Sequence, residues 1–167
     1  MKILISFFIV FLFSTAYAET KPMSDQSQKI SAFYRDLSAD HIELVDQFYD
    51  KNAEFADPIV DIHGVSALRD YYAGLYKNVK SIRFDFTNEV AQGNDHVVMW
   101  RMTLISDSLN GGKEFSVDGN SFIRFGGTDG KVVYHRDYFD MGAFIYERVP
   151  VLGRVIRYIK EKLSSSH

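Results

Sequence analysis

Before Tyr76 the apolar residues of this chain recur every third and fourth position, and from Ser81 they recur every second; that change of period restricts the fold more than any other feature. Ile30, Phe33, Tyr34 and Leu37 make one helical face. "SADHIELVDQFYD" offers Ser38 as the N-cap of a second helix running through Tyr49, and Leu68, Tyr71, Tyr72, Leu75 and Tyr76 repeat the pattern after Gly64. Then Ile82, Phe84 and Phe86 alternate with Arg83, Asp85 and Thr87, as a strand with two unlike faces requires. Three more strands are expected near residues 96–106, 114–125 and 131–139, joined by "SLNGGK" and "GGTDGK", whose Gly, Asn and Asp supply the positive φ of hairpins. Three helices followed by an antiparallel meander is an α+β pattern, with a curved sheet packed on segregated helices. The tail "VPVLGRVIRYIKEKL" predicts a last amphipathic helix with Val155, Ile156, Ile159 and Leu163 on its apolar side.

Residues 1–18, "MKILISFFIVFLFSTAYA", have the make-up of a secretory signal: Lys2, an apolar run, and small residues at Ala16 and Ala18. Export to the periplasm or the medium is therefore expected. Cleavage after Ala18 leaves 149 residues, the size of one domain. Residues 19–28 are polar and aperiodic and read as a flexible leader, with the domain spanning 29–140 and a helical extension 141–163. The chain has no cysteine, which excludes disulfide scaffolds, thiol nucleophiles and thiolate metal sites. Without Lys2 it carries 18 basic against 22 acidic residues, a balance that gives no reason to expect nucleic acid as a partner. The tail differs: Arg148, Arg154, Arg157, Lys160 and Lys162 face only Glu161.

The order of elements, with "FYDKNAEFADP", "HGVSALRDYYAGLY" and "FIRFGGTDGKVVYHRDYFD", resembles the SnoaL-like and ketosteroid-isomerase-like branch of the nuclear transport factor 2-like superfamily over about Ile30 to Asp140. The resemblance implies a cone-shaped roll with a pocket inside the curl. It also places Asp57, before Pro58, where the isomerases carry their general base. Their oxyanion-hole tyrosine falls on Phe33, with Tyr34 one residue off, and their second oxyanion donor falls on Ser121. Loss of such a donor raises the barrier to an enolate by about 3 to 4 kcal/mol, which argues against steroid isomerisation. With the family's sheet register, Trp100, Met102 and Leu104 point inward from one strand and His135, Asp137 and Phe139 from the last. Asp57, Ser121, His135 and Asp137 are then the polar groups of an otherwise aromatic cavity suited to a small lipophilic molecule.

Each of these residues also has a structural reading. Asp57 serves as a base, or hydrogen-bonds the turn that follows its proline. His135 and Asp137 stand at i and i+2, about 6 to 7 Å apart along a strand. That spacing lets both face one cavity but rarely lets them bond directly, so a dyad calls for a third group, with Asp57 the candidate; otherwise His135 is satisfied by a backbone carbonyl and Asp137 by an arginine or a helix end. No histidine spacing marks a metal site, and nothing in the sequence points to a cofactor. By alternation Arg101, Arg124, Arg136, Asp118 and Asn120 belong to the outer face of the sheet, which in this superfamily commonly forms a twofold dimer interface. Tyr71, Tyr72 and Tyr76 read as core or pocket wall. The tail helix is expected to brace the domain with its apolar side, Phe144 and Ile145 sealing the mouth of the pocket; contact with a membrane surface is the alternative. Three functions fit: a pocket protein with acid–base chemistry of isomerase or hydrolase type, a carrier or sensor, and a dimeric interaction module with a filled core.

Overall fold

The structure, a computed structural model, describes residues 23–127 and 129–165; the expected signal segment 1–18 lies outside them. Helix α1 spans Asp25–Asp36 and begins inside the stretch expected as a leader, because Ser24 caps it: its hydroxyl accepts from the Ser27 N–H at 3.1 Å. Ile30, Phe33 and Tyr34 are its buried face. The second expected helix is cut short. A 3₁₀ turn at Ala39–His41 leads to α2, Leu44–Phe48, and Ser38 makes no side-chain cap. At Tyr49 the backbone turns extended and strand β1, Tyr49–Ala56, starts. Strand β2, Asp61–His63, folds back on it antiparallel, and Gly64, at φ +88°, leads into α3, Val65–Tyr76.

The four strands expected by alternation follow as β3 (Val79–Gln92), β4 (Asp95–Ser106), β5 (Phe115–Gly126) and β6 (Lys131–Phe139). They form an antiparallel meander, but the complete sheet is mixed: its order is β2-β1-β6-β5-β4-β3, and β1 runs parallel to β6. Register shifts interrupt β3 between Val79 and Ser81 and between Phe86 and Asn88, and such bulges increase the bend and twist of a strand. The helices fill the inner face. Ile30, Phe33, Val45, Phe48, Tyr49, Phe55, Leu68, Ile123 and Val132 form one core, and Leu104, Phe115 and Val117, with Phe139 and Phe144 against them, form a second.

On the outer face Arg101 is paired with Asp118 and Arg124 with Asp95, both at 2.7 Å across neighbouring strands, so these charges are already matched within one chain. After β6 come α4, Met141–Phe144, a 3₁₀ turn at Tyr146–Arg148, and α5, Pro150–Ser164. The expected brace does not form. Of the expected apolar side Val155, Ile159 and Leu163 are exposed and Ile156 is half-buried, and only Gly153 of α5 is buried, because the helix meets the domain through a different side.

Gly119 of β5 stands opposite Trp100 of β4, and a Cβ there would lie 2.3 Å from the indole ring. The ring crosses the strand because glycine leaves it room. Gly119→Ala is therefore expected to cost about 1 to 3 kcal/mol, as overpacking of a filled site does. A denaturant titration measures it, and unchanged stability would show that the indole has another place to go.

Candidate functional site

Between the two cores lies a cavity of about 310 Å³, at the small end of ligand pockets, which run from about 300 to 1,000 Å³. Phe33, Tyr34, Trp100, Met102, Leu104 and Phe139 line it, together with Phe84, Phe55 and the helical residues Tyr71, Tyr72 and Tyr76. The cavity is incompatible with a filled-core interaction module. Asp57 and Asp137 are the carboxylates on its wall. Ser121 and His135 lie wholly buried behind that wall.

Sheet register explains how the polar groups meet. Asp137 pairs with Ser121 across β5 and β6, while His135, two residues before it and on the same face, pairs with Phe55 of β1 and Ile123 of β5. His135 Nε2 and Asp137 Oδ1 are 2.8 Å apart, so the two bond directly without a third group, which corrects the expectation from their spacing. Side chains leaning toward each other close the gap that the backbone repeat sets. Ser121 Oγ donates to the same Oδ1 at 2.5 Å and accepts from Trp100 Nε1 at 2.8 Å.

Tyr34 Oη stands 2.8 Å from Ser121 Oγ and 3.2 Å from His135 Nε2. On the other side of the ring Tyr49 Oη is 2.6 Å from His135 Nδ1, and Tyr72 Oη is 3.1 Å from Tyr49 Oη. Proton counting gives these contacts a direction. Ser121 spends its only proton on Asp137, so Tyr34 donates to Ser121. A neutral His135 carrying its proton on Nε2 gives it to Asp137 and accepts from Tyr49 at Nδ1, and Tyr49 accepts from Tyr72. Burial first, and the charge of Asp137 next, push the hydroxyls of Tyr34 and Tyr72 well above the usual tyrosine range. Tyr49 is raised likewise, by burial and then by its tyrosine neighbours. All three stay protonated and able to donate.

Every donor in this network thus leads to Oδ1 of Asp137. Oδ2 takes no hydrogen bond among the described residues, and no buried side-chain oxygen or nitrogen among them lacks a partner, so Oδ2 is accessible on the cavity wall. Asp57 is held differently. Its Oδ1 accepts from the N–H groups of Ile59 and Val60 at 2.6 and 2.8 Å, the turn that its structural reading requires, and its Oδ2 accepts from Tyr71 Oη at 2.5 Å. It bonds neither His135 nor Asp137 among the described residues and is not the third member of a dyad. Burial, and then the bond to Asp57, raise Tyr71 above its ordinary range.

Of the residues expected to matter, Phe33 does not take the tyrosine's place: its ring stacks on Phe48 at 4.2 Å, and Tyr34 reaches the polar cluster instead. Tyr72 does line the cavity, as its helical stripe suggested, and also joins the polar network; Tyr49 was not marked by any sequence signal, since it joins the site only through the parallel pairing of β1 with β6. Among the described residues no cluster of three or more His, Asp or Glu side chains is placed to hold a metal ion.

A SnoaL-like domain model matches residues 30–135. No curated protein matches the chain. Among solved structures, a nuclear transport factor 2-like protein of unknown function from Burkholderia pseudomallei shares 17% identity, with 71% of this chain and 92% of that one covered and a TM-score of 0.58. A protein from Catenulispora acidiphila with a ketosteroid isomerase-like fold, in complex with trimethylamine, shares 10%, covering 74% and 92%, with a TM-score of 0.62. An LEH-like epoxide hydrolase from M. tuberculosis shares 17%, covering 70% and 79%, with a TM-score of 0.58. At these identities the likeness is one of fold. The matched segment is well over half of the chain and carries most of the roll and of the cavity wall, with Asp137 and Phe139 just beyond its end, and the chain belongs to the SnoaL-like domain family.

Proposed function

We propose that the cavity binds a small, mainly apolar molecule carrying one or two polar groups, and that Asp137 moves a proton on it. The observation that carries this reading is the convergence of the buried donors on Oδ1 of Asp137, which fixes the carboxylate and leaves Oδ2 accessible from an aromatic cavity. A base must be within hydrogen-bond reach of its proton, and a carboxylate held from behind needs no reorganisation to get there. Tyr71 and Asp57 then bind the polar end of the ligand across the space. His135 is a positioning residue, because its imidazole meets Asp137 and not the cavity. Likeness in fold to an epoxide hydrolase supports a hydrolytic or isomerising reaction over other chemistry. A carrier is the second reading, favoured by one observation: Asp57, at the position matching the base of the ketosteroid isomerases, has both oxygens occupied.

Export belongs to the same reading and rests on the signal-like residues 1–18. Pairing of two copies through the outer sheet face rests on the exposed Met99 and Tyr138, which flank Asn120 in one row across β4, β5 and β6.

Trp100 is the only tryptophan and lines the cavity, so its fluorescence reports occupancy directly. Lipophilic ketones, enones and epoxides added in turn are expected to include one that changes it saturably, and incubation of that compound in deuterated water is expected to place deuterium at its acidic carbon or to open its ring. Saturable binding with no chemistry would leave the carrier; no response to any compound would overturn both readings.

A further inference from the structure

Helix α5 turns its apolar side away from the rest of the protein. At about 100° per residue, Val151, Leu152, Val155, Tyr158, Ile159 and Leu163 fall within an arc of about 140°. All six are exposed, from 42% for Leu152 to 67% for Val151 and Leu163. The opposite side makes the contacts with the domain: Gly153 is buried against the backbone of Glu147, Arg157 donates to the Glu147 carbonyl at 3.1 Å, and Lys160 donates to the Glu147 carboxylate at 2.5 Å. The helix is thus pinned by its polar edge with its apolar arc outward. An apolar stripe of this size on an otherwise closed domain marks an interaction surface.

Charge decides between occupants. α5 carries Arg154, Arg157, Lys160 and Lys162 against Glu161, while the whole chain has a net charge of −3. A second α5 laid on the first would set like charges against each other, whereas an anionic lipid surface complements them. Arg154 stands about 40° beyond one margin of the arc, whereas Lys162 falls inside it, beside Tyr158 with its ammonium 5.6 Å from the ring, so that its long stem must run up past the ring to bring the charge to the headgroups while the apolar side chains sink below. Among the described residues no helix is long and apolar enough to cross a membrane, so contact through α5 is contact with the surface. We infer that α5 docks the protein on an anionic membrane surface, with Val151, Leu152, Val155, Tyr158, Ile159 and Leu163 inserted and Arg154 and Lys162 at the headgroups.

The test uses a chain starting at Glu19, so that the apolar segment 1–18 plays no part, and sedimentation with vesicles of phosphatidylcholine alone or mixed with phosphatidylglycerol. The protein is expected to sediment with the mixed vesicles, weakly with phosphatidylcholine, and to be released by salt. Val155→Asp with Ile159→Asp is expected to lower the bound fraction about tenfold or more, and Arg154→Glu with Lys162→Glu to remove the preference for phosphatidylglycerol. Trp100 fluorescence and circular dichroism should stay unchanged in both variants. No sedimentation with the mixed vesicles at low salt would overturn the inference, as would binding that survives both pairs of substitutions. An oligomer that Val155→Asp with Ile159→Asp dissolves would assign the arc to a second copy and overturn it as well.

Discussion

Asp137→Asn is expected to lower turnover of any substrate of this cavity by about 10² to 10⁴-fold, the usual contribution of a positioned general base, while the chain stays folded. The carboxamide oxygen can replace Oδ1 and accept from Ser121 and His135, so the buried network keeps its acceptor. What changes is the atom facing the cavity. An NH₂ group stands where Oδ2 stood, and it donates where a lone pair is needed. Asp57→Asn should cost less than about tenfold, because an amide oxygen still accepts from Ile59 and Val60 and the hydroxyl of Tyr71 can turn to accept from the NH₂. Initial rates for both variants, with binding followed by Trp100 fluorescence, decide it. A large loss in Asp57→Asn with Asp137→Asn near wild type would return the base to the residue before the proline and reduce Asp137 to a buried anchor.

How much of this could be read from sequence depends on how local each feature is. The strands β3 to β6 announce themselves because each alternates over many residues and is tied to its neighbour by a glycine-rich turn. β1 does not: Tyr49 follows a helical pattern directly, and its partner Val132 lies more than eighty residues away, so nothing nearby signals the parallel pairing. The start of α1 was hidden for another reason. "SDQS" is polar enough to pass for a leader, and only the hydroxyl of Ser24 meeting the N–H of Ser27 makes it a cap. In the site, alternation brings His135 and Asp137 to one face, but the backbone repeat overstates the distance between two side chains free to lean together. Likewise the amphipathic pattern of α5 shows that it has an apolar side and not what lies against it.

Raising the pH above about 10 is expected to unfold the domain steeply. Burial holds the hydroxyls of Tyr34, Tyr49, Tyr72 and Tyr76 above the ordinary tyrosine value in the folded protein. In the unfolded chain the same groups ionise near pH 10. Below that value both states keep their protons and stability is untouched. Above it the unfolded state releases protons that the folded state retains, so the free energy of unfolding falls by about 1.4 kcal/mol per pH unit for each tyrosine, or about 5 to 6 kcal/mol per unit for the four. The half-buried Tyr71 adds less, because solvent screens it. Against a total stability of about 5 to 15 kcal/mol, such a slope brings the transition within roughly one to three units of pH 10. The part of the tyrosinate absorbance that single Tyr→Phe substitutions at the four buried positions remove should therefore appear together with the loss of far-ultraviolet circular dichroism in one sharp step, and Tyr72→Phe should reduce the slope by about a quarter. That part rising well before the circular dichroism changes would mean that these hydroxyls ionise inside the folded protein. The donors behind His135 and Ser121 would then be open to water, and Asp137 would lose the dry, fixed backing on which its role as the base depends.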